Sequence, residues 1–414
     1  MAASIPHCRA HFGSTLVFAA LILCLPPFLV AAEMVTVTTV SGEQSIGSLK
    51  SWTVDRLVID STEDRVFSRS ELQAVTFDRS NHNGGQNGPS VWLTNGDRIS
   101  ARSVSVENDL LSMAWPIRSD LELSLIPLED VAAMVFEWPQ TLPERLRLIT
   151  DLETLPPGSD VIMLSNGDRS LGEFQRLDAA FVELGVGGKT VKLDRGRVRA
   201  IRLDPELATV TRPSGRRTVV TLIDGSQITV SDIEAGNEMA QLKSSHLGNV
   251  SLPVASLTAC HMFGDRLIPI SDYEPLEIKF TPYLSRLWEP IRNANALHGP
   301  LTLQGMEFVT GLGMHSRMSV TYELHGNERE FRALVGIDDV ANGMGSVTFA
   351  VELDGRRLWS SPEMTGKSSA KSTGPVSLQG GQKLTLIAEF GEFADVSDYA
   401  NWCDAFLILE PAGE

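Results

Sequence analysis

Short runs of alternating apolar and polar residues fill most of this chain and predict β-strands joined by tight turns. Four of these runs lead into a turn that contains glycine. The turns are Thr39-Val40-Ser41-Gly42-Glu43, Leu93-Thr94-Asn95-Gly96-Asp97, Leu164-Ser165-Asn166-Gly167-Asp168 and Leu222-Ile223-Asp224-Gly225-Ser226. Asn-Gly and Asp-Gly between apolar runs predict a β-hairpin whose two turn residues both tolerate positive φ. We therefore expect four segments that each open with a hairpin.

Each segment also ends with one pattern, apolar-x-Ala-apolar-x-apolar. The recurring alanines are Ala74, Ala133, Ala200 and Ala259. A shared pattern predicts that they occupy equivalent positions in the same strand of each segment. In this frame Cys260 takes the place of Val75, Met134 and Ile201, which predicts a core position for the cysteine.

The spacing of these signals predicts an all-β protein made of repeats. Four to five short strands in about 45 to 60 residues suit a small SH3-like or Sm-like barrel. Such a unit has a small core, so we expect the repeats to pack side by side or to pair edge to edge. We place the β repeats at residues 33–78, 90–138, 160–204 and 216–264, a helical linker at 139–159, and a final domain at 273–410.

The N-terminal residues have the features of a signal peptide. An apolar run from Leu16 to Leu25 is followed by Pro26-Pro27 and by Val30-Ala31-Ala32. We predict cleavage after Ala32 and a secreted or periplasmic protein. The apolar stretch contains two prolines and is shorter than the roughly 20 residues that cross a bilayer, so we expect no stable membrane span.

The net charge limits the class of partner that the protein can bind. The chain has 35 Lys+Arg against 52 Asp+Glu, a net charge of -17, which argues against a nucleic acid as partner, because phosphate binding requires concentrated positive charge.

Removal of residues 1–32 leaves only Cys260 and Cys403 as cysteines of the mature chain. We expect both to be small core residues, and the sequence leaves open whether they form a disulfide with each other.

Past Tyr273 the predicted strands become longer. The run from Ser346 to Leu353 alternates apolar and polar residues and ends in the turn Asp354-Gly355. Similar runs follow at 383–390 and 405–409. Together they predict an antiparallel β-sandwich of the jelly-roll type.

Three sequence blocks in this last domain resemble those of a known family. They are Gly311-Leu312-Gly313-Met314-His315-Ser316, Val335-Gly336-Ile337-Asp338-Asp339 and Asp398-Tyr399-Ala400-Asn401-Trp402-Cys403-Asp404-Ala405. In order and spacing they resemble NPCBM, a carbohydrate-binding module family also found beside family 98 glycoside hydrolases. The resemblance implies a galactose-binding-like sandwich that binds galactose-type sugars from loops at one end, with a structural calcium ion nearby. Asn401 and Cys403 stand where other members carry Asp and Ala.

A sugar site requires an aromatic ring against the apolar face of the sugar and polar groups that bind its hydroxyls. The candidates are Trp402 as the ring, with Asp398, Asn401 and Asp404 around it. An equal alternative is that Trp402 fills the core. His315 is a further candidate, although its ring would also satisfy loop backbone groups.

Asp338 and Asp339 follow a predicted strand and precede a loop, and they are the candidate ligands for Ca²⁺, which prefers carboxylate and carbonyl oxygens. They do not suit a glycosidase pair, because adjacent residues of an extended chain point to opposite faces.

These observations favour an exported, non-catalytic protein that binds galactose-type or related glycans through its C-terminal module. The alternative is a structural or scaffolding protein whose module and repeats contact other extracytoplasmic proteins. We do not expect an enzyme, because the sequence contains no catalytic motif of the common hydrolases.

Overall fold

The structure, a computed structural model, describes residues 33–79, 88–117, 123–208, 213–236, 238–283, 287–392 and 394–411. The predicted signal peptide and its cleavage site lie outside these residues. Within the described ranges, no helix combines the length and the apolar character that a membrane crossing requires.

In the described residues up to Phe263, the structure contains twenty-two strands, one α-helix and short 3₁₀ turns. The first two segments contain β1 Met34–Thr39, β2 Gln44–Trp52, β3 Arg56–Asp60, β4 Asp64–Ser68, β5 Leu72–Phe77, β6 Ser90–Leu93, β7 Arg98–Ser100, β8 Ser103–Glu107, β9 Leu110–Ala114, β10 Leu123–Pro127 and β11 Val131–Val135. After the helix α1 Leu142–Thr154, the next two contain β12 Asp160–Leu164, β13 Arg169–Leu177, β14 Phe181–Val186, β15 Lys189–Asp194, β16 Val198–Arg202, β17 Arg217–Leu222, β18 Gln227–Val230, β19 Asp232–Ala235, β20 Met239–Ser244, β21 Gly248–Pro253 and β22 Leu257–Phe263.

The four segments share one pattern of strand pairing. In each, the opening strand pairs with the strand after its turn and also with the closing strand: β1 with β2 and β5, β6 with β7 and β11, β12 with β13 and β16, and β17 with β18 and β22. A 3₁₀ turn precedes every closing strand, at Arg69–Glu71, Leu128–Asp130, Arg195–Arg197 and Val254–Ser256. The predicted all-β fold class is confirmed, whereas the domain boundaries stay a prediction.

The opening turns differ from the expected geometry. Only the glycine of each turn has positive φ, as in Gly96 at 94° and Gly167 at 93°. The preceding side chain folds back onto the backbone instead: Asn95 Oδ1 accepts from the N–H of Asp97 at 3.0 Å. This asparagine turn satisfies the chain locally, so the expectation of two residues at positive φ was wrong.

The recurring alanines lie where the pattern predicts. Each is the third residue of its closing strand, β5, β11, β16 or β22. The closing strands also pair with one another: Val75 faces Cys260 between β5 and β22, and Met134 faces Ile201 between β11 and β16. The first segment therefore pairs with the fourth and the second with the third, at the same register.

The predicted helix is confirmed as α1. Pro143 lies in its first turn, where a missing N–H is tolerated. Leu148, Ile149 and Leu152 are buried against Val161 and the other apolar residues of the second and third segments. The helix therefore caps the junction of these two segments.

The C-terminal domain contains the remaining strands. They are β23 Leu267–Pro269, β24 Pro275–Phe280, β25 Ile291–Arg292, β26 Leu301–Leu303, β27 Met306–Phe308, β28 Gly311–His315, β29 Met318–Glu323, β30 Glu328–Ile337, β31 Ser346–Leu353, β32 Arg356–Ser360, β33 Met364–Thr365, β34 Lys371–Ser372, β35 Val376–Ser377, β36 Lys383–Phe390 and β37 Tyr399–Leu409. Further 3₁₀ turns lie at Ile270–Asp272 and Asp339–Ala341.

Two antiparallel sheets form the predicted sandwich. One has the order β25-β28-β37-β30-β34 and the other β24-β29-β36-β31-β32. Their inner faces share one core that includes Phe331, Phe349 and Trp402. β23 also pairs with the last strand of this sheet, with Leu267 opposite Ile408.

The sandwich also packs against the repeat region. Arg217 of β17 makes two hydrogen bonds to the carboxylate of Asp272, at 2.7 and 2.8 Å. Phe263 and Phe406 belong to a small apolar cluster at the same junction. Both cysteines predicted to be core residues, Cys260 and Cys403, are buried and free.

Candidate functional site

The loops at one end of the sandwich bring together most of the residues singled out in the sequence. This loop end comprises residues 281–283 and 287–290, 315–317, 338–345, 391–392 and 394–398. Backbone hydrogen bonds hold it: the N–H of Thr281 donates to the Arg317 carbonyl, and the N–H of Asp338 donates to the Tyr399 carbonyl. The loop end is therefore a fixed surface.

Trp402 does not lie on that surface. Its exposed fraction is 0%, and its ring packs edge-on against Phe349, with centroids 5.4 Å apart. Phe331 lies on another side at 6.1 Å. The structure therefore places Trp402 in the core, the alternative that the sequence left open, because β37 turns this side chain between the two sheets.

Asp398 is buried just below the loop end and fixes two of its segments. Its Oδ2 accepts from Ser316 Oγ at 2.5 Å, and its Oδ1 accepts from the N–H of Ser346 at 2.8 Å. Burial raises the pKa of Asp398 to about 6, against the opposing effect of these two hydrogen bonds. The carboxylate therefore joins the segment at Ser316 to the start of β31 at Ser346.

Asn401 and Asp338 meet in the interior. Asn401 Nδ2 donates to Asp338 Oδ2 at 2.5 Å and, at 3.3 Å, to the Thr302 carbonyl. Asn401 is completely buried, so it fixes the base of the loop end without reaching its surface.

The residues proposed to bind calcium do not fit a metal site. Asp338 accepts from the N–H groups of Val340 and Thr302 as well as from Asn401. The two oxygens of Asp339 accept from the backbone N–H groups of Gln304 and Gly305. Donor hydrogens of the chain itself face these carboxylates. In the described ranges no group of three His, Cys, Asp or Glu side chains is placed to hold a metal ion.

The structure does not bring Asp404 to the other candidates. Gly311 faces Cys403, whereas His315 faces Tyr399, so Asp404 lies about 16 Å along the strand from the loop end. It occupies a bulge with φ 44°, and its N–H donates to the Thr310 carbonyl. Burial raises the pKa of Asp404 to about 7.

His315 belongs to an aromatic group that the sequence analysis missed. Its ring is stacked on Trp288, with centroids 4.2 Å apart and planes 6° from parallel. Tyr399 meets both rings edge-on, at 6.1 Å from Trp288 and 5.9 Å from His315. Trp288 and Tyr399 remain partly exposed, whereas His315 is buried. We call these three residues the aromatic platform.

A signal for the platform was present in the sequence. Trp288 lies in a stretch without regular alternation of apolar and polar residues, just before Pro290. A tryptophan outside any strand has no core position assigned to it, whereas Trp402 lies within a strand pattern. Strand periodicity therefore distinguishes the two tryptophans better than their polar neighbours do.

A cleft of about 310 Å³ lies beside the loop end. It is lined by Gln304, Asp339, Lys367 and Ser368, together with residues of β30. Its lining is mainly polar. The loop 338–345 lies close to this cleft, because the position of a Gly343 Cβ would be 3.6 Å from the Lys367 side chain.

Solved structures with partial likeness include two carbohydrate-binding examples. One is the CBM51 module of a Clostridium perfringens GH95 protein in complex with methyl-galactose: 24% identity, 34% of this chain, 99% of that chain and a TM-score of 0.31. Another is the tandem CBM51 modules of a family 98 glycoside hydrolase of Streptococcus pneumoniae: 14% identity, 63% of this chain, 91% of that chain and a TM-score of 0.31.

Two curated relatives share part of the sequence. A protein of Renibacterium salmoninarum named as an endo-alpha-N-acetylgalactosaminidase is 29% identical over 151 residues, 34% of this chain. The alpha-1,3-galactosidase B of Akkermansia muciniphila is 34% identical over 107 residues, 25% of this chain. The matches cover only 10% and 13% of the length of these relatives.

The family comparison covers the sandwich almost from its first strand to its last. The match to the NPCBM/NEW2 domain family spans residues 269–408. This range contains the three sequence blocks, the loop end and all of both sheets except Leu267, Ile268 and Leu409. Residues 269–408 of the chain are an NPCBM/NEW2 domain.

Proposed function

We propose that the protein binds galactose-type glycans at the aromatic platform and acts as an exported, non-catalytic binding protein. The observation that carries this proposal is the stacked pair of Trp288 and His315 at the loop end. A sugar places an apolar face against an aromatic ring, and a ring fixed by its neighbours loses little conformational entropy on binding.

Polar groups around the platform suit the hydroxyls of a sugar. The charged side chains of Glu389 and of Arg317, two residues after His315, lie 3.8 Å apart. Arg317 and Glu389 are about half exposed, so they are accessible to a ligand. A sugar on the ring would have both donors and acceptors within reach.

We base the proposed sugar specificity on the names of the two curated relatives. Their names specify an N-acetylgalactosaminidase and a galactosidase. A shared galactose configuration is the chemistry common to these two names. We therefore expect galactosides and N-acetylgalactosaminides to bind more tightly than glucosides.

Three carboxylates of the loop end support the non-catalytic part of the proposal. Asp338, Asp339 and Asp398 each accept hydrogen bonds from the chain itself, and those bonds occupy both oxygens of every carboxylate. General acid or nucleophilic chemistry requires a carboxyl group presented to the ligand. Their role in this proposal is to shape the loops.

Calorimetric titration of the full chain with methyl galactoside tests the proposal, with Trp288→Ala as the variant. We expect the variant to lose about five- to thirtyfold in affinity, since stacking contributes of the order of 1 to 2 kcal/mol. Trp359→Ala is the matched control, because Trp359 is also partly exposed but lies on β32, near the opposite end of the sandwich. Equal affinity in both variants would remove the platform from the site.

A scaffolding role is the second candidate, and exposed apolar side chains favour it. Val66 on β4 is 60% exposed, and Leu125 at the corresponding place on β10 is 54% exposed. Such positions suit contacts with another protein. A glycan array in which no sugar binds the intact protein, with or without Ca²⁺, would favour this candidate over the first.

A further inference from the structure

Strand β24 is an open edge of the sandwich. Among the described residues it pairs only with β29, and the opposite edge of the same sheet is β32. Two apolar side chains of β24, Leu276 and Ile278, are 50% and 47% exposed. An edge strand presents unpaired backbone N–H and C=O groups and can therefore accept a further strand.

The backbone groups of Ile278 face this open side. The register places Lys279 opposite Ser319 of β29, and just beyond the strand the N–H of Thr281 donates to the Arg317 carbonyl. Successive residues of an antiparallel strand direct their backbone groups to alternate sides. Those of Lys279 and Thr281 therefore point towards β29, whereas the N–H and C=O of Ile278 point towards the open side.

The side chains of β24 do not block the edge. Natural edges are commonly protected by an inward-pointing charge. Ile278 is opposite the buried Val320 and so has the inward direction, but it is apolar. Glu277 and Lys279 point to the outer face, because side chains alternate along a strand. Pro275, which has no N–H to donate, is separated from these residues by a bulge.

The charges of β24 are arranged symmetrically about Ile278. When two copies of one strand pair antiparallel, a two-fold axis sets one residue opposite itself, and its neighbours face each other in reverse order. With Ile278 at the axis, Glu277 of each copy faces Lys279 of the other. Both side chains lie at the surface, since Glu277 is 51% and Lys279 is 69% exposed. Two opposite-charge pairs would thus accompany the two hydrogen bonds exchanged by the Ile278 backbones.

The opposite edge of the sheet does not have this property. β32 consists of Arg356-Arg357-Leu358-Trp359-Ser360. It contains no acidic residue, so two copies of β32 form no opposite-charge pair in any register. Charge complementarity with a second copy therefore distinguishes β24 from β32.

We propose that β24 is a homodimer interface, at which a second copy of this chain adds its own β24 antiparallel, with Ile278 at the two-fold axis. The pairing joins two six-stranded sheets into one continuous sheet. It covers the exposed side chain of Ile278 with its counterpart. Because the paired strands run in opposite directions, the two loop ends point away from each other.

Sedimentation velocity over about a hundredfold range of protein concentration measures the association. Lys279→Glu sets two glutamate pairs across the axis, and Glu277→Lys sets two lysine pairs there. Each variant alone should therefore associate about tenfold or more weakly than the natural protein. Arg357→Glu on β32 is the matched control. It also reverses a charge and breaks an edge-strand ion pair, with Glu352, but should leave the association unchanged.

An equal mixture of Lys279→Glu and Glu277→Lys separates the interface from a folding defect. One copy then presents two lysines and the other two glutamates, so a heterodimer regains both opposite-charge pairs and should form as tightly as the natural dimer. The double variant Glu277→Lys/Lys279→Glu should also dimerise. The proposal is overturned if the natural protein stays monomeric over this range, if the control weakens association as much as Lys279→Glu does, or if the mixture associates no better than its components.

Discussion

Asn401 donates its side-chain amide to Asp338 at a distance of 2.5 Å, and both residues are buried. The resemblance to NPCBM domains implies an aspartate at the place of Asn401 in other members. In this chain a carboxylate there would face a second carboxylate in the interior. The side-chain amide of Asn401 therefore suits a buried carboxylate neighbour, Asp338.

Asn401→Asp should destabilise the protein, and more so at higher pH. Two buried carboxyl groups in contact cannot both ionise, so the folded variant retains a proton that the unfolded chain releases near pH 4. Its free energy of unfolding should fall as pH rises from about 4 towards 7, reaching a loss of about 3 kcal/mol or more relative to the natural chain. Urea unfolding at pH 5 and pH 8 measures this. A difference that does not vary with pH would contradict the expected contact.

Trp402→Ala should act on stability. Removal of a large buried ring from between Phe331 and Phe349 should cost about 3 to 5 kcal/mol. The fraction that remains folded should bind galactosides with unchanged affinity, as measured by thermal melting followed by calorimetric titration below the melting temperature. Trp402→Phe is the control and should lose less stability. Loss of sugar binding without loss of stability would instead place Trp402 at the ligand.

Asp404 should make stability depend on pH. Its folded pKa of about 7 is raised by burial, whereas an unfolded aspartate has a pKa of about 4. The folded state therefore retains the proton over this range and the unfolded state releases it, so the free energy of unfolding should decrease as pH rises from about 4 to 7. Asp404→Asn should remove this dependence, and asparagine tolerates the φ of 44°. Thermal melting of both proteins across this pH range measures the effect. The prediction is wrong if the two melting temperatures change in parallel with pH.

Export should remove the first thirty-two residues. The apolar run and the Val30-Ala31-Ala32 site predict a mature chain that starts at Glu33. Mass spectrometry of secreted or periplasmic material measures its N-terminus directly. Ala32→Asp at the cleavage site should block processing, and an intact Met1 in the exported natural protein would disprove the prediction.

Local signals predicted more of the fold than of the candidate site. The opening turns, the closing alanines and helix α1 depend on residues close in sequence, and the structure places them accordingly. The register between Val75 and Cys260 could not be predicted, because it depends on packing between strands far apart along the chain. Trp402 illustrates the same limit. Its polar neighbours in the sequence indicate a surface position, but packing against the facing sheet decides that its side chain points into the core. Trp288 is the reverse case, since its place outside any strand was the useful signal.

The nested order of the closing strands has a consequence for biogenesis. The first segment obtains its partner strand only from the fourth, with the second and third segments lying between them in the chain. When the polypeptide emerges from its N-terminus, β5 is complete long before β22 exists. Its edge must stay uncovered, or held by a chaperone, until the fourth segment arrives, whereas β11 and β16 can join earlier. A premature stop before the fourth segment would thus leave an open strand edge exposed to aggregation.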